Sequence, residues 1–321
     1  MKQIFLIIGL FAMTQWGFSQ NQQGKADDVG RIALSTVVPQ QIAGMPKQAE
    51  SLLKNKLNEV ATRNGMGGSA KNPQFILTAN VAIISKDVTP TAPPMIAYNL
   101  QITFYVADYV NKVSFSSASV ALKGVGQNEE KAYISAIKNI NPGNPEIKAC
   151  IEQGKNKIIE YYNSKCDFII KEAKTLADTK KFGEAIYKLT SVPDVCKECY
   201  MKAMDNVKPI YQMYMDDKCN KDLAQARTTW GGTLNYDGAV AAQSYLSGIT
   251  PDAKCYKEAQ DLIKEIKAKV FADQKKEWEF QLMVYKDGVD LQKQMIDAYK
   301  EVNIAYANNQ PDVVYDVTFL W

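Results

Sequence analysis

The sequence predicts an α+β fold, in which a β-α-β-β-β-α-α domain precedes an all-α helical-repeat segment. Three observations lead there. Period-two apolar alternation is clearest before Gly126, apolar residues from Cys166 onward recur mainly at helical spacing, and one ordered set of features anchored on cysteines occurs twice. A chain of 321 residues favours two domains over a single core.

The first residues read as an export leader. Lys2 supplies a positive charge, and the apolar run from Ile4 to Met13 has signal-peptide length but is too short to span a bilayer. Gly17 and Ser19 provide the small residues of a cleavage site, so residues 1–19 are expected to be removed, with Gln20 the nearby alternative. Residues 20–30 are polar and read as a flexible start.

The first domain is expected over 31–162. Arg31 to Val38 reads as a short buried strand. Pro46 then opens a helix whose Ala49, Leu52, Leu53, Leu57, Val60 and Ala61 share a face, and Gly65 stands where it should end. Strands are expected at Phe75 to Ser85, Ile96 to Ala107 and Val113 to Leu122. The second alternates most clearly, with Leu100, Ile102, Phe104 and Val106 set between Gln101, Thr103 and Tyr105. Asp108 to Lys112 suits a tight hairpin connection, whereas Thr89 to Pro94 must form a longer loop. A helix follows over Lys131 to Ile140 and another, after Pro142 and Pro145, through Tyr162.

Gly124-Val125-Gly126 before a helix invites comparison with a phosphate cradle. The reading fails, because the dinucleotide fingerprint needs a third glycine and the helix here opens with Glu129 and Glu130, which repel phosphate. The passage is expected to be a strand-to-helix turn that needs glycine torsions. With its opening "RIALS", "FILTANVAII" and "SASVALKGVGQNEEKAYISAIKNI", the stretch from Arg31 to Tyr162 resembles the CsgG-like domain shared by curli-secretion proteins and lipoprotein activators of penicillin-binding proteins. The resemblance implies a role in envelope assembly or regulation; unlike those relatives, this chain has no lipidation cysteine after its leader.

Residues 163–257 read as two helical hairpins. Cys166, Ala173, Leu176, Ala177, Phe182, Ala185, Ile186, Leu189, Pro193 and Cys199-Tyr200 are matched in order by Cys219, Ala226, Trp230, Tyr236, Ala239, Val240, Leu246, Pro251 and Cys255-Tyr256. "LADTKKFGEAIYKLTSVP" resembles the core of a tetratricopeptide repeat, which implies a curved surface suited to a peptide or protein. Six cysteines in an exported chain point to bridges. In an antiparallel hairpin the start of the first helix lies near the loop after the second, so Cys166 reaches Cys199 and Cys219 reaches Cys255. Cys150 and Cys196 are left over, and a bridge between them requires the preceding helix to pack alongside the first repeat. Cys196-Lys197-Glu198-Cys199 also has the spacing of a dithiol redox motif, but no strand precedes it and Glu198 would raise the thiol pKa values.

Residues 258–321 are expected to hold a long helix from Glu258 to about Tyr306 and a strand over Val313 to Trp321. Trp230, Tyr236 and Trp278 are the candidate partner or glycan surface.

A net charge of +3 without strong blocks gives no reason to expect nucleic acid as a partner, and no other apolar run is long enough to cross a membrane. The absence of histidine removes Ser-His-Asp and Cys-His nucleophiles, histidine-bound zinc and histidine-ligated haem. No catalytic, cofactor or metal residue is assigned. The expectation is a non-enzymatic periplasmic or secreted scaffold that binds envelope proteins or peptides, at the outer membrane through a partner. The alternatives are a thiol-disulfide oxidoreductase using Cys196 and Cys199, and a small-ligand or glycan-binding protein.

Overall fold

The computed structural model describes residues 32–40, 42, 44–68, 74–282 and 317–320. The expected leader, the expected flexible start and, of the expected strand, residues 313–316 and 321 lie outside them.

A four-stranded mixed sheet in the order β1-β2-β3-β4 carries helices on one face. β1 (Ser35–Val37) runs parallel to β2 (Phe75–Val88), and α1 (Lys47–Arg63) connects them. β3 (Ile96–Asp108) and β4 (Val113–Gly126) complete antiparallel hairpins. The register sets Val81, Ile102 and Val120 side by side facing the helices, and Asn80, Thr103 and Ser119 on the opposite face. α1 buries Ala49, Leu53, Leu57, Val60 and Ala61, and Gly65 follows it with a left-handed φ of 69°.

Gly124 and Gly126 are strand residues without positive φ, which corrects the torsional reading. They are needed for close approach. A β-carbon on Gly124 would lie 2.2 Å from Ala132 O and from Ala136 N, and one on Gly126 would lie 2.3 Å from Ala132 N. Both glycines thus let α2 (Glu129–Lys138) lie directly on the end of β4, with Asn128 Oδ1 capping the helix by accepting from Lys131 N.

α3 (Pro145–Asp178) is one helix of 34 residues. The division expected at residue 162 falls inside it, since Tyr162-Asn163-Ser164-Lys165 contains neither glycine nor proline to stop a helix. Its first half packs on β3 and β4, where Gly154 meets Val106 and Ser116. The second half leaves the sheet and packs on α4 (Phe182–Thr190) and α5 (Lys197–Thr233). α6 (Tyr236–Leu246) and α7 (Tyr256–Gln274) follow, so long and short helices alternate. Buried side chains form one cluster from Ile32 to Met215 and a second from Cys219 to Leu282.

α7 ends at Gln274, with Lys275 left-handed, well short of the expected Tyr306; residues 283–306 lie outside the described ones. After it Trp278, Phe280 and Leu282 are buried while Glu277, Glu279 and Gln281 are exposed. This period-two alternation marks an extended segment, not a helix. At the tail, Thr318–Leu320 is a 3₁₀ turn and not a strand. Val317 packs on Val37, Ile76 and Ala107, on the sheet face opposite the helices.

Candidate functional site

Where the β3–β4 turn, α3 and α4 meet, a cleft of about 140 Å³ opens. Its apolar wall is Tyr161, Phe168 and Ile169, and Phe168 is 63% exposed. α3 presents Tyr161, Lys165, Phe168 and Glu172 at three- and four-residue steps, hence on one side of the helix. Glu172 pairs with Lys188 of α4 at 2.7 Å. Lys165 has no ion pair or hydrogen bond among the described residues, so one positive charge at the rim is uncompensated.

The back of the cleft is rigid. Asp108, fully buried at the end of β3, accepts from Tyr162 Oη at 2.7 Å, from Asn111 N and Nδ2 at 2.8 Å each, and from Gln74 Nε2 at 3.3 Å. Asn111 Nδ2 also donates to Tyr162 Oη at 3.2 Å, and Gln74 Nε2 donates to it. Burial, then the Asp108 charge, drives the Tyr162 phenol far above its ordinary range, so Tyr162 remains a donor. Tyr161 is held up by burial and by the carboxylates of Asp108 and Glu172. These bonds bolt the α3 midpoint to the β3–β4 turn, and with it the frame carrying Lys165 and Phe168. The arrangement can hold a ligand that is apolar at one end and anionic at the other.

Cys166 in α3 is bonded to Cys199 in the first turn of α5, with Cα atoms 5.5 Å apart. Cys219 in α5 is bonded to Cys255 at the start of α7, with Cα atoms 6.0 Å apart. Cys150 and Cys196 are buried free thiols, and no bridge joins them. Cys150 faces Ser116 of β4, whose hydroxyl lies 3.4 Å from its sulfur, whereas Cys196 Sγ faces Ile159 O at 3.8 Å. Residues 150 and 159 are separated by about 13 Å along the α3 axis, well beyond the roughly 4.4–6.8 Å Cα separation of a disulfide. Desolvation, with the Asp194 charge second, pushes the Cys196 thiol up to about 11, away from a reactive thiolate.

Beside the second disulfide, Asp216 of α5 accepts from Lys254 N at 3.0 Å and pairs with Lys254 Nζ at 2.7 Å. Gln212 Nε2 also donates to it at 3.0 Å. Burial alone would raise the Asp216 pKa, but the hydrogen bonds from Lys254 and Gln212 outweigh it and hold the carboxyl below its ordinary value. A depressed folded-state pKa stabilises the fold above the unfolded value near 3.9, and that stability is lost as pH falls through the folded value. Asp216→Asn is therefore expected to lower stability by about 1–3 kcal/mol at pH 7. Urea unfolding should show its deficit relative to wild type shrinking below about pH 4.

The aromatic surface expected from Trp230, Tyr236 and Trp278 is not one. Trp230 and Trp278 are 3% and 5% exposed and belong to the second core. Trp230 Nε1 donates to Glu265 at 3.4 Å, and Trp278 stacks on Phe280 with centroids 5.5 Å apart. Tyr236 is half-buried beneath Lys276. Large aromatics at helical spacing fill a core before they form a face. The cleft residues escaped the sequence reading because Asn111, Lys165 and Lys188 lie far apart in the chain. A signal was present in Phe168, an aromatic whose neighbours one helical turn away, Ser164, Lys165, Lys171 and Glu172, are polar.

Among the described residues, no group of three His, Cys, Asp or Glu side chains can hold a metal ion, and no helix is long and apolar enough to cross a membrane. In comparisons with known proteins the chain matches no family model, no curated protein and no solved structure.

Proposed function

We propose that this chain is an exported envelope protein acting as a non-enzymatic interaction scaffold, and that the cleft beneath the β3–β4 turn is where a partner protein or peptide sits. The observation that carries the reading is Phe168, an aromatic ring exposed at a cleft whose back is locked by the Asp108–Tyr162 network and whose α3 wall is tied to α5 by the Cys166–Cys199 disulfide. An exposed aromatic on a pre-organised frame binds without a large ordering cost. Lys165 adds a preference for a partner that places an acidic group beside its apolar anchor. The alternation of long and short helices supports the reading of this segment as successive helical hairpins.

The thiol-disulfide and glycan alternatives have less support, since Cys199 is already bonded to Cys166 and both tryptophans are core residues. Site-specific photocrosslinking in the native envelope tests the proposal. A photoreactive residue at position 168 should give one discrete adduct, diminished severalfold by Lys165→Glu, while the same residue at exposed position 264 on α7 should not. Identical patterns at both positions, or no adduct at 168, would refute the cleft as the binding surface.

A further inference from the structure

The two disulfides are equivalent in position, and all four of their cysteines are buried, but their surroundings differ. Each joins the middle of a long helix to the start of the next. At the second, the residue three before Cys219 and the residue just before Cys255 are Asp216 and Lys254, and the two form an ion pair at 2.7 Å. At the first, the corresponding residues are Asn163 and Glu198, which make no such pair; Glu198 instead pairs with Lys202 at 3.4 Å. A cleft of about 300 Å³ stands in its place, lined by Asn163, Cys166, Lys197, Glu198, Cys199 and Lys202. The first disulfide also has a neighbour that the second lacks, the free thiol of Cys196 at the cap of α5, three residues before Cys199.

We propose that the Cys166–Cys199 bond is a thiol-modification site, with Cys199 as the sulfur attacked and Cys196 as the resolving thiol. The co-reactant is a small thiol entering the cleft. Its thiolate attacks Cys199 Sγ, forming a mixed disulfide and releasing Cys166 as a thiolate. Lys197 and Lys202 favour the anionic entering group beside Cys199, the sulfur that also has Cys196 three residues away. Cys196 then gives up its proton, the Cys166 thiolate being protonated, and its sulfur attacks the mixed disulfide. The small thiolate leaves and a Cys196–Cys199 bond remains. No net oxidation occurs, and the bridge has moved from between α3 and α5 to within the first turn of α5. Cys196 Sγ faces Ile159 O in the resting state and burial keeps its thiol protonated there, so the exchange waits until opening of the first bond frees Cys196 into the cleft.

The test is a time course of the full-length exported protein in reduced glutathione at pH 8, with alkylation, peptide mapping and far-ultraviolet circular dichroism at each point. The Cys166–Cys199 link should disappear at least tenfold faster than Cys219–Cys255 while helicity is unchanged, and a Cys196–Cys199 link should appear. In Cys196→Ser the glutathione adduct on Cys199 should accumulate instead. Lys254→Ala, which removes the ion pair beside the second bond, should speed its loss severalfold. Equal rates for the two bonds, or loss only together with helicity, would overturn the proposal. An unchanged product pattern in Cys196→Ser would overturn the resolving role, and an unchanged second-bond rate in Lys254→Ala would overturn the shielding account.

Discussion

Gly124→Ala should cost at least about 3 kcal/mol, because its single added carbon would lie 2.2 Å from the backbone of α2. Backbone atoms cannot rotate away as a side chain can, so α2 must lift off β4. With it goes the packing of Ala132, Tyr133, Ala136 and Ile137, all of them buried in the sheet-side core. The same substitution at Gly232 is the internal control. That glycine lies in α5 with nothing within 4 Å of an added β-carbon, so Gly232→Ala should raise stability by about 0.5–1 kcal/mol through helix propensity alone. Urea unfolding of the two variants should shift in opposite directions. If Gly124→Ala lay within 1 kcal/mol of wild type, the close approach of α2 to β4 would be wrong.

Removing the second disulfide with Cys219→Ser and Cys255→Ser together should cost about 3–4 kcal/mol in the chain-entropy account for a loop closed over 36 residues. The loss should fall on the second core. That cluster spans only Cys219 to Leu282, and a unit so small buries too little apolar surface to dispense with a covalent tie. Trp230 and Trp278 both belong to it and serve as the probe. Their emission should shift to the red at a lower urea concentration than the circular-dichroism signal of the α/β domain, splitting what should be one transition in wild type. A cost below 1 kcal/mol would mean that the Asp216–Lys254 clamp and the packing around Ala226 and Ala259 hold the unit unaided.

The strands were the most legible part of the fold, and their physics explains why. Alternation along Leu100 to Val106 can be satisfied only by an extended chain with one buried face, and β2, β3 and β4 lie where that pattern runs, each extending a little beyond it. α1 was equally plain, since its five buried residues recur at helical steps between Pro46 and Gly65. The chain after Gln274 was misread for the converse reason. Trp278, Phe280 and Leu282 alternate over too few residues to outweigh the helical composition before them, and only their burial against the second core reveals the extended run.

The candidate site was almost invisible. Lys165 and Lys188 read as ordinary solvated lysines among many, and Asp108 as a turn residue. What distinguishes them is arrangement. Asp108 becomes a fully buried hub only because α3 brings Tyr162 to it from 54 residues away. Lys165 has no ionic partner among the described residues, while Glu172, two turns on along the same side of α3, is taken by Lys188 across the α3–α4 contact.

By itself, then, the sequence determined the α+β class, the order of the sheet elements and the face each buries, because local periodicity and turn chemistry act within a few residues of the chain. The tertiary structure decided that α3 runs unbroken from the sheet into the helical segment, that Gly124 serves contact and not torsion, that Cys150 and Cys196 face different elements, and that a cleft forms beneath the β3–β4 turn. Each of those depends on which surfaces meet, and that is set by packing between residues distant in sequence.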